Sequence, residues 1–124
     1  MSLNKFYTIH DTQGSDNKLS CRIEFNADHD IFKGHFPGHP VVPGVCMIEI
    51  VKELLQRTTG EDLTLRQAGN VKFLRLIVPD SQPRVDMNWK DTETGYHVNV
   101  VFKEEEATLF KMDGTYEIIH AAVN

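Results

Sequence analysis

The chain has few of the residues that mark secretion, metal or redox chemistry, or a polyanionic partner. Cysteine occurs only at Cys21 and Cys46, among apolar neighbours and with neither metal-like nor redox-like spacing. That argues for buried free thiols in a reducing compartment. No apolar run is long enough to span a bilayer, and the opening MSLNKFYTIHDTQ lacks the hydrophobic block of a signal peptide, so the cytoplasm is the expected location. Basic residues are in deficit: 13 Lys and Arg against 18 Asp and Glu leave a net charge of -5. This balance argues against nucleic acid or an anionic membrane as main partner, and any acidic partner has to be met by a local basic patch. Repeats and low-complexity segments are also lacking. A length of 124 residues suffices for one hydrophobic core and not for two, so residues 1–124 are read as a single domain with one site.

What the chain does contain is two-residue alternation. Over residues 18–26, Leu19, Cys21, Ile23 and Phe25 share one face and Ser20, Arg22, Glu24 and Asn26 the other, the pattern of a half-buried strand. Tyr96, Val98, Val100 and Phe102 repeat it over 96–103, and Val85, Met87 and Trp89 give a third case, with 90–95 as a hairpin loop between the two. Residues 70–78 are rich in apolar side chains and end at Pro79-Asp80, which reads as another strand closed by a turn. Asp113-Gly114 reads as a further turn or bulge, and Glu104, Glu105 and Glu106 as a solvated hairpin tip.

One helix is expected, over about residues 45–57, after the punctuation Pro43-Gly44. Its first two turns, with Val45, Cys46, Met47, Ile48, Ile50 and Val51, are apolar nearly all round, so other structure should wrap it. Five or six strands and one buried helix predict an α+β fold, a curved antiparallel sheet with the helix in its concavity.

The chemistry is concentrated just before that helix. Residues 32–45 read FKGHFPGHPVVPGV, three prolines and three glycines in fourteen residues, and this rigid, irregular backbone runs directly into the core helix. Such a loop delivers a histidine, His35, and free helix amides toward an apolar cavity. Glu49 lies one turn into the helix among Val45, Met47, Ile48, Ile50 and Val51. A carboxylate buried there must be paired, hydrogen-bonded or protonated, and the protonated state is what a general acid needs. Two bland readings stand beside these. Glu49 pairs with Lys52, or stacks with Glu53 on the helix surface, and His35 simply bonds a backbone carbonyl.

The stretch resembles the 3-hydroxyacyl-acyl-carrier-protein dehydratases of fatty acid synthesis, whose loop reads roughly His-Phe-Pro-Gly-x-Pro-x-x-Pro-Gly-Val and whose helix carries Glu or Asp. His35, Phe36, Pro37, Gly38, Pro40, Pro43, Gly44, Val45 and Glu49 match in order and spacing, and Phe73, Arg75 and Pro79 fit a family strand. The resemblance implies the hot-dog fold and a dimer in which His35 of one subunit faces Glu49 of the other. It further implies that His35 takes the C2 proton of a 3-hydroxyacyl thioester and that Glu49 helps the C3 hydroxyl leave. The Gly44 N–H at the helix start would polarise the thioester carbonyl. Phe36, Pro43, Val45 and Glu53 would line the substrate. No metal or organic cofactor is implied, because an acid, a base and one oriented dipole suffice. The substrate arrives on an acyl-carrier protein or coenzyme A, and Lys33, Lys72 and Arg75 are candidates for a basic lip, or else ordinary solvated charges.

The chain departs from this pattern in three places. The family's longer N-terminal segment with its His-Arg-Tyr-Pro-Phe-like run is not seen, Glu53 stands where many members carry Gln, and the Pro-Gly-Asp turn is Pro79-Asp80. A divergent branch serving a specialised acyl or polyene pathway is the implication. The expected assembly is a homodimer, or a higher assembly or heterodimer with a related subunit. The rivals are a hot-dog thioesterase, in which Glu49 activates water, and a non-catalytic acyl-binding subunit lending half a site to a heterodimer. Metal binding by His29, His35 and His39 is disfavoured because Pro37, Gly38 and Pro40 forbid the helix that would make the spacing useful. Cys46 shows no signature of a nucleophile beyond its place near the helix start.

Overall fold

The alternating segments become strands of one sheet. The computed structural model describes residues 3–34 and 38–120, with strands β1 (Tyr7–Ser15), β2 (Lys18–Phe25), β3 (Leu63–Phe73), β4 (Arg84–Asp91), β5 (Gly95–Glu104) and β6 (Ala107–Ile118). They form an antiparallel six-stranded sheet in the order β1-β2-β4-β5-β6-β3. A one-turn helix α1 (Asp30–Lys33) and the long helix α2 (Gly44–Thr59) fall between β2 and β3. This is the α+β arrangement that the sequence pattern predicts and the hot-dog fold that the resemblance implies, with six strands and a helix two residues longer at its C-terminal end than expected.

Period-two alternation decides which face is inside. Leu19, Cys21, Ile23 and Phe25 of β2, Val85, Met87 and Trp89 of β4, Val98, Val100 and Phe102 of β5 and Phe110, Met112 and Tyr116 of β6 are all buried. Against them α2 lays Cys46, Met47, Ile50, Val51, Leu54 and Leu55, spaced as one helical stripe. Each such aliphatic side chain contributes about 1.5–3 kcal/mol by leaving water. The helix ends at Gly60, which takes the left-handed conformation (φ 77°) and donates its N–H to Gln56 O at 2.8 Å.

Two expectations need correction and a third is narrowed. The helix is not wrapped on all sides: its stripe is buried, but Val45 is 60% exposed and Ile48 and Glu49 are half-buried. The strand expected over 70–78 begins earlier and stops at Phe73, because the Leu74 and Arg75 amides both turn to Leu109 O, at 2.9 and 3.2 Å. Beyond it, Ile77 is buried and its carbonyl accepts the Val42 N–H at 2.7 Å, which ties the segment to the loop before α2. Finally, of the two readings of Asp113-Gly114, a bulge and not a turn is what the structure has. The pair lies within β6, opposite a stretch of β3 where the register slips between Ala68 and Val71. A Cβ on Gly114 would meet Leu65 Cδ1, Gln67 O and Met112 Cε at 3.1–3.2 Å, so glycine serves close approach there and not a reversal.

Candidate active site

The loop and helix start carry the candidate residues. His35 and Phe36 lie outside the described residues, and the site is built from the chain on either side of them. Pro43 precedes the helix in an extended conformation (φ -60°, ψ 143°), which suits a helix entry, and no side chain caps the helix. The Cys46 amide bonds Pro43 O at 3.0 Å, whereas the Gly44 and Val45 amides have no hydrogen-bond partner among the described residues. A helix N-terminus with free N–H groups favours negative charge on an approaching oxygen.

Gly44 is also closely approached by a side chain. A Cβ there would stand 2.8 Å from the Phe73 ring, so the end of β3 presses directly on the first turn of α2. Phe73 in turn packs on Phe110 with ring centroids 5.1 Å apart. Around this point the surface is apolar: Val45, Phe73, Leu74, Leu76 and Val78 are between 46% and 79% exposed. A run of large apolar side chains open to water is the mark of a surface used for contact.

Glu49 combines both readings that its sequence context allows. Its side chain is only 17% exposed, yet Lys52 Nζ stands 3.9 Å from Oε1. The ion pair is at the limit of contact, and no hydrogen bond reaches the carboxylate among the described residues. Burial and the nearby Glu49 charge push the Cys46 thiol up, so this cysteine is held as a neutral thiol. Glu53 is engaged elsewhere: Tyr7 Oη donates to its Oε1 at 2.8 Å and the Leu3 amide to its Oε2 at 3.4 Å. That carboxylate ties the helix to β1 and the N-terminal turn.

The basic candidates differ in their surroundings. Lys33 is exposed and 3.6 Å from Asp30, and Lys72 is exposed on β3 with Lys111 as its cross-strand neighbour. Arg75 shares a groove with Glu104, Glu105 and Glu106 at the β5–β6 hairpin, an acidic setting that weakens it as a receptor for an acidic protein. His29 spends both ring nitrogens on structure, Nδ1 accepting the Ile31 amide at 3.1 Å and Nε2 bonding Asn4 O at 3.1 Å. Among the described residues no group of three His, Cys, Asp or Glu is placed to hold a metal ion.

Sequence reasoning missed Tyr7 and Tyr116. Tyr7 sits on a half-exposed edge strand with weak alternation. Tyr116 is completely buried, and its hydroxyl is the one buried side-chain polar atom without a partner among the described residues. Its signal was the alternation Phe110, Met112, Gly114, Tyr116, which puts a tyrosine on the inner face.

A family model described as ApeI-like, ApeI dehydratase, matches residues 11–112. The chain belongs to the ApeI-like dehydratase family. Among relatives of this ApeI-like chain, the 3-hydroxyacyl-[acyl-carrier-protein] dehydratase FabZ of Clostridium acetobutylicum is 39% identical over 64 residues, covering 46% of this chain and 44% of that protein. FabZ of Rickettsia massiliae is 30% identical over 95 residues, covering 70% and 57%. The chain thus spans about half the length of the curated relatives it matches. Among solved structures, the dehydratase heterocomplex ApeI:P from Xenorhabdus doucetiae superposes with a TM-score of 0.75 at 19% identity, covering 90% of this chain and 97% of that one. An uncharacterized protein from Erwinia carotovora subsp. atroseptica gives 0.70 at 22%, covering 90% and 94%. Both support the fold of this ApeI-like chain.

Proposed function

We propose that this chain dehydrates 3-hydroxyacyl thioesters to trans-2-enoyl thioesters. The observation that carries the reading is the helix start: amides at Gly44 and Val45 that have no hydrogen-bond partner among the described residues, with a half-buried Glu49 one turn further on and a histidine in the loop before. The family match and the FabZ relatives point to the same reaction. In this mechanism the Gly44 N–H bonds the thioester carbonyl and stabilises the enolate that forms as His35 removes the C2 proton. Glu49 protonates the C3 hydroxyl, the C3–O bond breaks, water leaves, and the electron pair closes the C2=C3 double bond. The proton on His35 then returns to Glu49, which restores both groups.

The substrate arm would be a phosphopantetheine thioester of an acyl-carrier protein or of coenzyme A, with Phe36, Pro43 and Val45 along its path and Lys33 and Lys72 near the entrance. The exposed row Val45, Phe73, Leu74, Leu76 and Val78 is read as the face covered by a second subunit, which would bring its own His35 to this Glu49. A homodimer is the first reading, and a heterodimer with a related subunit the second, since a structural neighbour is named as a heterocomplex. Among the described residues no helix is long and apolar enough to cross a membrane. The two free buried thiols suit a reducing, cytoplasmic setting.

The test is hydration of short 2-enoyl thioesters and dehydration of 3-hydroxyacyl thioesters, on carrier protein and on coenzyme A, with His35→Ala and Glu49→Gln as controls. Each variant is expected to lose about 10²–10⁴-fold in turnover while staying folded. Release of free thiol without enoyl product would replace the reading by a thioesterase, and no turnover at any chain length by a binding subunit.

A further inference from the structure

The outer face of the sheet carries a charge pattern that neither the core nor the candidate site uses. On β2, β4, β5, β6 and β3, five successive strands, stand Arg22, Arg84, Lys103, Lys111 and Lys72. Each alternates with inward residues, such as Cys21 and Ile23 on β2 or Phe110 and Met112 on β6, and so lies on the face away from the core. Register sets them side by side. Arg22 is opposite Arg84, Arg84 is opposite Lys103, and Lys111 is opposite Lys72. Lys111 also faces Val101, two residues before Lys103, which makes the two lysines diagonal neighbours about 7–8 Å apart. The result is one basic stripe with a cation from every strand except β1.

Like charges directly opposite one another weaken a sheet, and three such pairs stand here in a chain whose net charge is -5. Only one end of the stripe is neutralised from within. Arg22 Nε donates to Asp11 Oδ2 at 3.0 Å, and Arg84 Nε lies 3.8 Å from Asp86, a carboxylate that already accepts the Ser20 hydroxyl. Lys103, Lys111 and Lys72 are exposed and form no ion pair among the described residues. The acid nearest the last two in register, Asp113, accepts the Asn70 amide at 3.1 Å and lines a groove with both lysines and Asn99.

We propose that this stripe is a docking surface for an acidic helix of a partner protein. Strands about 4.8 Å apart spread the five cations over about 19 Å. A helix advances about 5.4 Å per turn, so one laid across the strands with a carboxylate on each turn brings an anion close to every cation. A nucleic-acid duplex fits less well, because its dense charge is felt far beyond the stripe by a chain that is negative overall. Exposed ion pairs contribute little each, so the surface supplies orientation and a fast, salt-sensitive association. It does so whatever reaction the candidate site performs.

The test uses the full chain and two synthetic helices of identical composition, one with a glutamate per turn along a single face, the other with its glutamates spread around the axis. Binding is read by fluorescence anisotropy at low salt. The one-faced helix is expected to bind about tenfold more tightly, and to lose about tenfold with either Arg84→Gln/Lys103→Gln or Lys72→Gln/Lys111→Gln. Lys18→Gln/Lys90→Gln, which removes two exposed cations from the same strands off the stripe, is expected to change binding by no more than about twofold. Equal binding of the two helices, an equal loss in the off-stripe variant, or tighter binding of a short DNA duplex overturns the proposal. In urea denaturation of the free chain, Lys72→Gln/Lys111→Gln relieves a like-charge pair and is expected to keep or raise the midpoint. A lowered midpoint means that these lysines serve the fold, and that also overturns it.

Discussion

The Tyr7 hydroxyl donates to Glu53 Oε1 at 2.8 Å and so fastens the first strand to the core helix, one turn beyond Glu49. Burial, reinforced by this bond to the Glu53 carboxylate, pushes the Tyr7 phenol well above its ordinary range, so it remains a donor at every working pH. Removing it in Tyr7→Phe is expected to cost about 1–2 kcal/mol of stability, read from urea denaturation, because the half-buried carboxylate keeps only the Leu3 amide. Glu53→Gln, tested for a part in substrate binding, is expected to leave KM within about twofold.

Gly44 gives a test in which folding and function separate. Gly44→Ala places a Cβ 2.8 Å from the Phe73 ring, and that ring is 52% exposed and free to swing outward. The monomer is expected to stay folded with little change in melting temperature. Turnover is expected to fall by about tenfold or more, because the helix start and the apolar face beside it are reshaped together.

The apolar face predicts an assembly. Leu76 is 79% exposed, so Leu76→Asp removes little packing within the chain and is expected to leave the melting of the monomer fold intact. If a second subunit covers this face, the same substitution buries a charge at the interface, and sedimentation should show half the wild-type mass.

The cysteines predict a pH dependence. Cys21 is 0% exposed, and burial pushes its thiol up to about 11. The unfolded chain releases that proton near the ordinary thiol range, so the stability held by the neutral buried thiol is complete below about pH 8.5 and declines as pH rises toward about 11. Native protein at pH 8 should react with a thiol reagent only as it unfolds. Urea midpoints compared between pH 7 and pH 10 should fall in the wild type and fall less in Cys21→Ala.

Much of the fold was legible because its segments obey simple periods. The alternation across residues 18–26, 85–89 and 96–103 made the inner faces of β2, β4 and β5 visible, and their apolar residues are buried as read, apart from Tyr96, which is partly buried. The edge strands were not legible. β1 and most of β3 are exposed, so no apolar alternation betrays them, and β3 and β1 each break register at a bulge. The run at 70–78 was read as one strand, but only its first part, up to Phe73, belongs to β3; beyond that it serves a surface, with Leu74, Leu76 and Val78 open to solvent and Ile77 turned inward.

The candidate site divides the same way. Its chemical groups are local in sequence: a Pro/Gly-fixed loop with His35, the helix start at Gly44, and Glu49 one turn later. Spacing along the chain places them because a rigid loop and a helix are short-range structures, decided by backbone preferences and the 3.6-residue turn. Sequence alone thus determined three of the inner strands, β2, β4 and β5, the core helix and the acid-base candidates. Tertiary structure alone decided that Glu53 turns to Tyr7, that Phe73 closes on Gly44, that Arg75 sits among glutamates, and that the Tyr116 hydroxyl is buried without a partner among the described residues. The physical reason is distance along the chain: these groups lie tens of residues apart, and only the packing of helix against sheet brings them together.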